Sequence, residues 1–173
     1  LTLGANAADV DIAALEALRE GHMKKLVFHE TPVAASDAAF EDAGGAPMTL
    51  AAYAGKYTLV NFWATWCAPC RKEMPSLDRL QAELGGEAFE VVTIATGRNA
   101  PAGITRFFDE VGVTNLPKHR DPKQALAREM AVLGLPITVI LNPEGEEIAR
   151  LRGDAEWDSD SAKAIIRALT AAH

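Results

Sequence analysis

Apolar positions change their period from one segment to the next along the chain, and each period predicts an element. Residues 8–21, ADVDIAALEALREG, space Ile12, Leu15 and Leu18 among Ala, Glu and Arg, which predicts a short helix begun by Asp9 or Asp11 and stopped by Gly21. KKLVFHE (24–30) reads as a short strand ended by Pro32, and AAFEDAGGAPMTL as strand, turn and strand around Gly44 and Gly45. From Tyr57 the segment YTLVNFWA is β-branched and aromatic with no polar alternation, as expected of a strand covered on both faces. A helix from about Ala68 to Leu84 follows, carrying Met74, Leu77, Leu80 and Leu84 at helical spacing, with a kink expected near Pro75 and a stop at Gly85 and Gly86.

FEVVTIAT (89–96) is the next strand, then a helix GITRFFDEVG (103–112), an extended piece around LPKHRD, and a helix through KQALAREM (123–130). PITVILN (136–142) and EIARLRG (147–153) flank PEG, a turn short enough to make them an antiparallel hairpin. The closing helix places Ala162, Ile165, Ile166 and Leu169 on one stripe, with Asp158 or Ser159 as its N-cap. Strand and helix in alternation, closed by a hairpin and a helix, predict an α/β fold: a mixed sheet with helices on both faces.

Composition narrows the function classes. At 173 residues, 49% hydrophobic and 24% charged, the chain can build one domain core. A formal net charge of −7 argues against non-specific nucleic-acid binding, which needs a basic surface to displace counterions from phosphates. No apolar run approaches the ~18 residues that span a bilayer, and no signal segment opens the chain. Residue 1 is Leu rather than Met, which leaves room for a signal or membrane anchor upstream of this chain.

Both cysteines fall in one stretch, NFWATWCAPCRKEMP (61–75), as Cys67-Ala68-Pro69-Cys70. A structural disulfide closing so short a loop removes little unfolded-state entropy, roughly 2 kcal/mol against ~4.7 kcal/mol for a hundred-residue loop. A zinc site needs more ligands than the pair, and His22, His29, His119 and His173 are scattered without a second paired spacing. The position favours redox chemistry instead. Cys67 sits where a strand passes into a helix, so its thiolate faces free backbone N–H groups and the positive end of the helix dipole, which lowers its pKa. Cys70, one turn further in, is expected to be more buried and to resolve the mixed disulfide that Cys67 forms by attacking a partner. Pro69 falls in the first turn, where its missing N–H costs nothing. No metal or organic cofactor is called for.

FWATWCAPCRKEMPSLDRL followed by LGLPITVILNPEG resembles the thioredoxin superfamily, and within it the TlpA-like thiol:disulfide oxidoreductases, over residues 26–170 and including AEW at 155–157. The resemblance implies a thioredoxin-like domain over 26–173 with an N-terminal β-hairpin, behind a helical extension at 1–25. It implies that Cys67 attacks and Cys70 resolves, that Pro136 is the superfamily's cis-proline, and that Trp66, Pro69, Leu135 and Pro136 form the partner-binding edge. Trp66 is equally readable as core, whereas Trp63, inside the strand, reads as core. Glu73 matches an acidic position that handles protons near the resolving cysteine; a solvated acid in the first helical turns is the plainer reading. Ordinary thioredoxins carry a buried aspartate where this chain has Asn61, and an amide cannot take the resolving thiol's proton.

What the resemblance implies about function is a monomeric periplasmic dithiol reductase, tethered to the cytoplasmic membrane and re-reduced by a membrane electron donor. Its expected partners are disulfide-bearing proteins: a Sco-like copper chaperone or the copper subunit of cytochrome oxidase or, on a second reading, apocytochrome c. A third reading, of another class, makes the thiolates soft ligands of a Cu(I) chaperone.

Overall fold

The computed structural model describes residues 11–171. The described residues build an α/β layered fold around one eight-stranded mixed sheet. Its strands are β1 (Val27–Ala34), β2 (Phe40–Glu41), β3 (Pro47–Met48), β4 (Tyr57–Trp63), β5 (Phe89–Thr96), β6 (His119–Asp121), β7 (Ile137–Leu141) and β8 (Glu146–Arg152). Their spatial order is β1-β8-β7-β4-β5-β6-β2-β3. β4 lies near the centre, parallel to β5 and antiparallel to β7, and every one of its residues is buried.

The helices are α1 (Ile12–Ala17), α2 (Ala68–Leu84), α3 (Pro101–Val111), α4 (Ala125–Glu129) and α5 (Asp160–Thr170). Alternation along β4 divides the core between two faces. Leu59 and Trp63 join the cluster built with α2, α3 and α5, while Val60 and Phe62 join the one that holds Leu126 and Ala127 of α4 and Phe40 of β2. Trp63 is core, stacked on Phe108 with ring centroids 5.6 Å apart. Asn61 alternates with Leu59 and Trp63, so its side chain points under α2.

One of the expected caps is realised and two expected boundaries need correction. Asp11 caps α1, accepting the Ala14 N–H at 3.2 Å, while Asp9 lies outside the described residues. α1 ends at Ala17, not at Gly21, because the chain is pulled away toward α5: the Glu20 N–H donates to Ser161 Oγ at 2.9 Å. Gly21 instead opens a 3-10 turn, Gly21–Lys25. Pro32 does not end β1, which continues to Ala34 with a register shift between Phe28 and Val33. As an edge strand with an irregular ladder, β1 tolerates a residue that cannot donate.

Elsewhere the pattern and the fold agree. Pro75 sits inside α2 without ending it, and the Gly85 N–H closes the helix on the Gln81 carbonyl. Asn142, Pro143, Glu144 and Gly145 turn the β7–β8 hairpin, and Ser159 rather than Asp158 caps α5, accepting the Ala162 N–H.

Candidate active site

β4 delivers the chain to the N-terminus of α2, and the cysteines occupy that junction. Cys67 is the N-cap of α2 in extended backbone conformation, its Sγ accepting the Cys70 N–H at 3.3 Å. The two cysteines are joined as a disulfide, with Cα atoms 5.3 Å apart. Cys67 is 7% exposed and Cys70 wholly buried, the asymmetry expected of an attacking and a resolving thiol. Pro69 lies in the first turn of α2, exposed at the surface.

The loop before Cys67 is held from two sides. Asn99, buried beyond the end of β5, accepts both the Thr65 N–H (2.8 Å) and the Thr65 Oγ1–H (2.9 Å), and donates to the Thr96 and Gly97 carbonyls. Arg71 donates to the Thr65 carbonyl at 3.2 Å and lies over the Phe107 ring, 4.3 Å from its centroid. Trp66, the next residue, is left 68% exposed, so its reading as core is lost. It lines a hollow with Thr96, Gln124, Val132, Leu133 and Leu135. The Leu135–Pro136 peptide bond, at the far wall of that hollow, is cis.

Behind the cysteines lies a different environment. Glu73 follows Cys70 by one helical turn and is 2% exposed, so it is not a solvated acid of the first turns. Its Oε1 accepts from Asn61 Nδ2 at 2.8 Å, and its Oε2 accepts from the Ala155 N–H at 3.1 Å and from Trp157 Nε1–H at 3.0 Å. Burial pushes its pKa up from 4.5 to about 7, against the three donors, which hold it down. Ser76 braces the arrangement, donating to the Glu73 carbonyl and accepting the Trp157 N–H. Asn61 Nδ2 also donates to Thr138 Oγ1 at 3.0 Å, while its Oδ1 is buried without a partner.

Thus Cys67, Cys70 and Glu73 share the start of α2, with Trp66 beside them in the sequence and Leu135, which precedes the cis Pro136, lining the same hollow as Trp66. Sequence reasoning missed the donors from Ala155 and Trp157, which come from 82 and 84 residues away, and the Asn99 bracket. The AEW segment at 155–157, part of the resemblance on which the sequence reading rested, was a usable signal for the first.

Comparison with known proteins agrees with this geometry. The Redoxin family model matches residues 30–166. Thiol-disulfide oxidoreductase ResA of Bacillus subtilis is 32% identical over 113 residues, covering 65% of this chain and 62% of ResA. Thioredoxin-like protein YneN of the same organism is 32% identical over 74% of this chain and 75% of its own length. Thiol:disulfide interchange protein HelX of Rhodobacter capsulatus is 32% identical over 60% of this chain and 56% of HelX. The chain therefore spans less than two thirds of ResA and of HelX. Among solved structures, a thiol:disulfide interchange protein of the DsbE type from Chlorobium tepidum superposes with a TM-score of 0.69 at 25% identity, covering 81% of this chain and 98% of that one. The exposed lipoprotein thioredoxin of Streptococcus pneumoniae gives 0.63 at 25% identity, covering 78% and 98%. The match over residues 30–166, on this fold and with these relatives, places the chain in the Redoxin family, among the TlpA-like proteins of the thioredoxin superfamily.

Proposed function

We propose that this protein is a dithiol reductase of partner proteins on the outer side of the cytoplasmic membrane. The observation that carries this reading is Glu73: a buried carboxyl with a pKa near 7, one turn from the more buried cysteine. In the reduced protein the Cys67 thiolate attacks one sulfur of a client disulfide, forming a mixed disulfide and releasing the other client sulfur as a thiolate. Cys70 then loses its proton to Glu73 and attacks Cys67 Sγ. The Cys67–Cys70 disulfide forms, the second client sulfur leaves, and two electrons have passed to the client. A dithiol donor, expected to be membrane-bound, must return the protein to its reduced form.

Asn61 suits both states of Glu73. When Glu73 is ionised, Asn61 Nδ2 donates to it; when Glu73 is protonated, rotation of the amide presents the unpartnered Oδ1 to the new O–H. An aspartate in its place would compete with Glu73 for the proton.

For clients, the reading is copper-handling proteins of cytochrome oxidase assembly, a Sco-like chaperone or the copper subunit itself, supported by the TlpA-like sequence pattern. Periplasmic location with a membrane tether fits the lipoprotein among the structural neighbours. Among the described residues no helix is long and apolar enough to cross a membrane. Incubating Cys70→Ser protein with a periplasmic extract and identifying the disulfide-linked adduct by mass tests the assignment. A copper-site protein supports it, whereas apocytochrome c as the main adduct replaces it with the cytochrome c maturation reading. Tight retention of Cu(I) by the reduced protein without disulfide exchange would overturn the reductase altogether.

A further inference from the structure

Arg150 takes no part in the cysteine chemistry, yet it is a charged residue only 7% exposed in β8. A guanidinium so placed needs its donors matched. Nε and Nη2 donate to the two carboxylate oxygens of Glu147 at 3.0 and 2.8 Å, and Glu147 Oε2 also meets His29 Nε2 of β1 at 2.6 Å. The remaining bonds are the informative ones. Nη2 donates to the Met130 carbonyl at 2.6 Å and Nη1 to the Ala131 carbonyl at 3.2 Å.

Those two carbonyls end α4. α4 has only five residues, and its end is closed by the Ala131 N–H on the Arg128 carbonyl at 3.1 Å as well as by Arg150. Its exit passes through Ala131 at φ +55°, a left-handed conformation that a residue with a Cβ adopts only when its surroundings impose it. The Val132 N–H returns to the Ala127 carbonyl at 2.8 Å, and from there the chain runs through Leu133, Gly134 and Leu135 to Pro136. Val132, Leu133, Gly134 and Leu135 line the hollow together with Trp66, and Leu133 is 92% exposed. Val132 and Leu135 pack against the core, but Leu133 and Gly134 at the tip are exposed, and the turn that leads to them is bonded to Arg150.

We propose that Arg150 is the positioning residue of the partner-binding loop. Braced on Glu147, its planar fork fixes the Met130–Ala131 turn and thereby the separation at which Leu133 and Leu135 face Trp66. A client segment then meets a groove already formed and does not have to order it on binding. Lysine cannot replace it, because one ammonium cannot span a carboxylate and two carbonyls in the same plane. The inference rests on the reading of this hollow as the place where a client disulfide docks.

The test pairs kinetics with backbone amide hydrogen exchange in Arg150→Lys and Arg150→Met proteins, using a synthetic peptide disulfide as substrate. For Arg150→Lys the expected result is a KM raised about tenfold with kcat within about twofold of wild type, a split diagnostic of lost binding geometry. Exchange at residues 132–135 accelerates while that of β4 stays unchanged. If Arg150→Met does not fold, Arg150→Lys, which keeps the charge opposite Glu147, still decides. A folded Arg150→Lys protein with wild-type KM and wild-type exchange in the loop overturns the proposal, as does a raised KM with equal acceleration across β4, which reduces Arg150 to a general stabiliser. If the wild type does not reduce the peptide at all, it is the docking reading that fails. The exchange measurement then still decides whether Arg150 holds the loop.

Discussion

The two sides of the cysteine pair are built from opposite materials. On the outer side, Trp66 and Leu133 line one hollow and are largely exposed, large apolar side chains whose exposure brings the fold no stability. On the inner side, Asn61, Glu73 and Trp157 form a buried polar group in which each side-chain donor has an acceptor and one acceptor, Asn61 Oδ1, has no donor. The outer side is suited to recognising a partner and the inner side to moving a proton. The disulfide between them is asymmetric in the same sense, with Cys67 turned outward and Cys70 inward.

Substitutions can break this division. The largest effect is expected at the cysteines: Cys67→Ser abolishes exchange, and Cys70→Ser retains the first attack and accumulates a mixed disulfide through Cys67, seen as a covalent adduct by non-reducing electrophoresis. A Cys67→Ser protein that still exchanges would end the assignment of roles. Next comes Glu73. Its folded-state pKa of about 7 lies above its ordinary 4.5, so the folded protein binds this proton more tightly than the unfolded chain does. The stabilisation is fully present below about pH 4.5 and is lost as pH rises through about 7; it amounts to about 3 kcal/mol. In Glu73→Gln that slope should vanish from the pH dependence of chemical denaturation. An unchanged slope means that another group produces it.

On the outer side, Trp66→Ala should cost about 2 kcal/mol in kcat/KM for a protein client, roughly thirtyfold, as for an anchoring aromatic at an interface centre. Reduction of a small aliphatic disulfide, which does not need the platform, serves as the internal comparison; equal losses on both substrates would place Trp66 in the chemistry. The smallest effect belongs to Trp157→Phe. Removing its N–H takes away a bond that lowers the Glu73 pKa, worth about 1 kcal/mol, so the inflection in the rate profile should move to higher pH by under about one unit. A move to lower pH would show that Trp157 acts on Glu73 chiefly by excluding water.

How much of this was legible in the sequence follows the same division. The β-branched and aromatic β4, the Gly85 stop, the hairpin turned by Asn142 to Gly145 and the stripe of α5 are local patterns, and the structure follows them. The cysteine junction was legible for the same reason, since strand, thiol and helix are consecutive. Pro32 misled because a proline stops a strand only where its N–H is needed, and the edge position of β1 is a property of the whole sheet. Glu73 was visible as a candidate but its environment was not: donors from Asn61, Ala155 and Trp157 meet there only because β4, α2 and the segment after β8 pack together. Trp66 stood evenly between core and platform, because two tryptophans three residues apart at a strand end look alike until the chain turns. Arg150 gave no signal, for a charged residue alternating along a strand reads as solvent-facing.

The most direct test of the division is the pH profile of client reduction measured side by side for wild type, Glu73→Gln and Trp66→Ala, with kcat and KM resolved at each pH. The wild type should show an inflection in kcat near pH 7. Glu73→Gln should lose that inflection with KM unchanged, and Trp66→Ala should raise KM by the same factor at every pH while the inflection stays in place. If Trp66→Ala displaces the inflection, or Glu73→Gln keeps it and alters KM instead, the two sides of the cysteine pair do not divide the work.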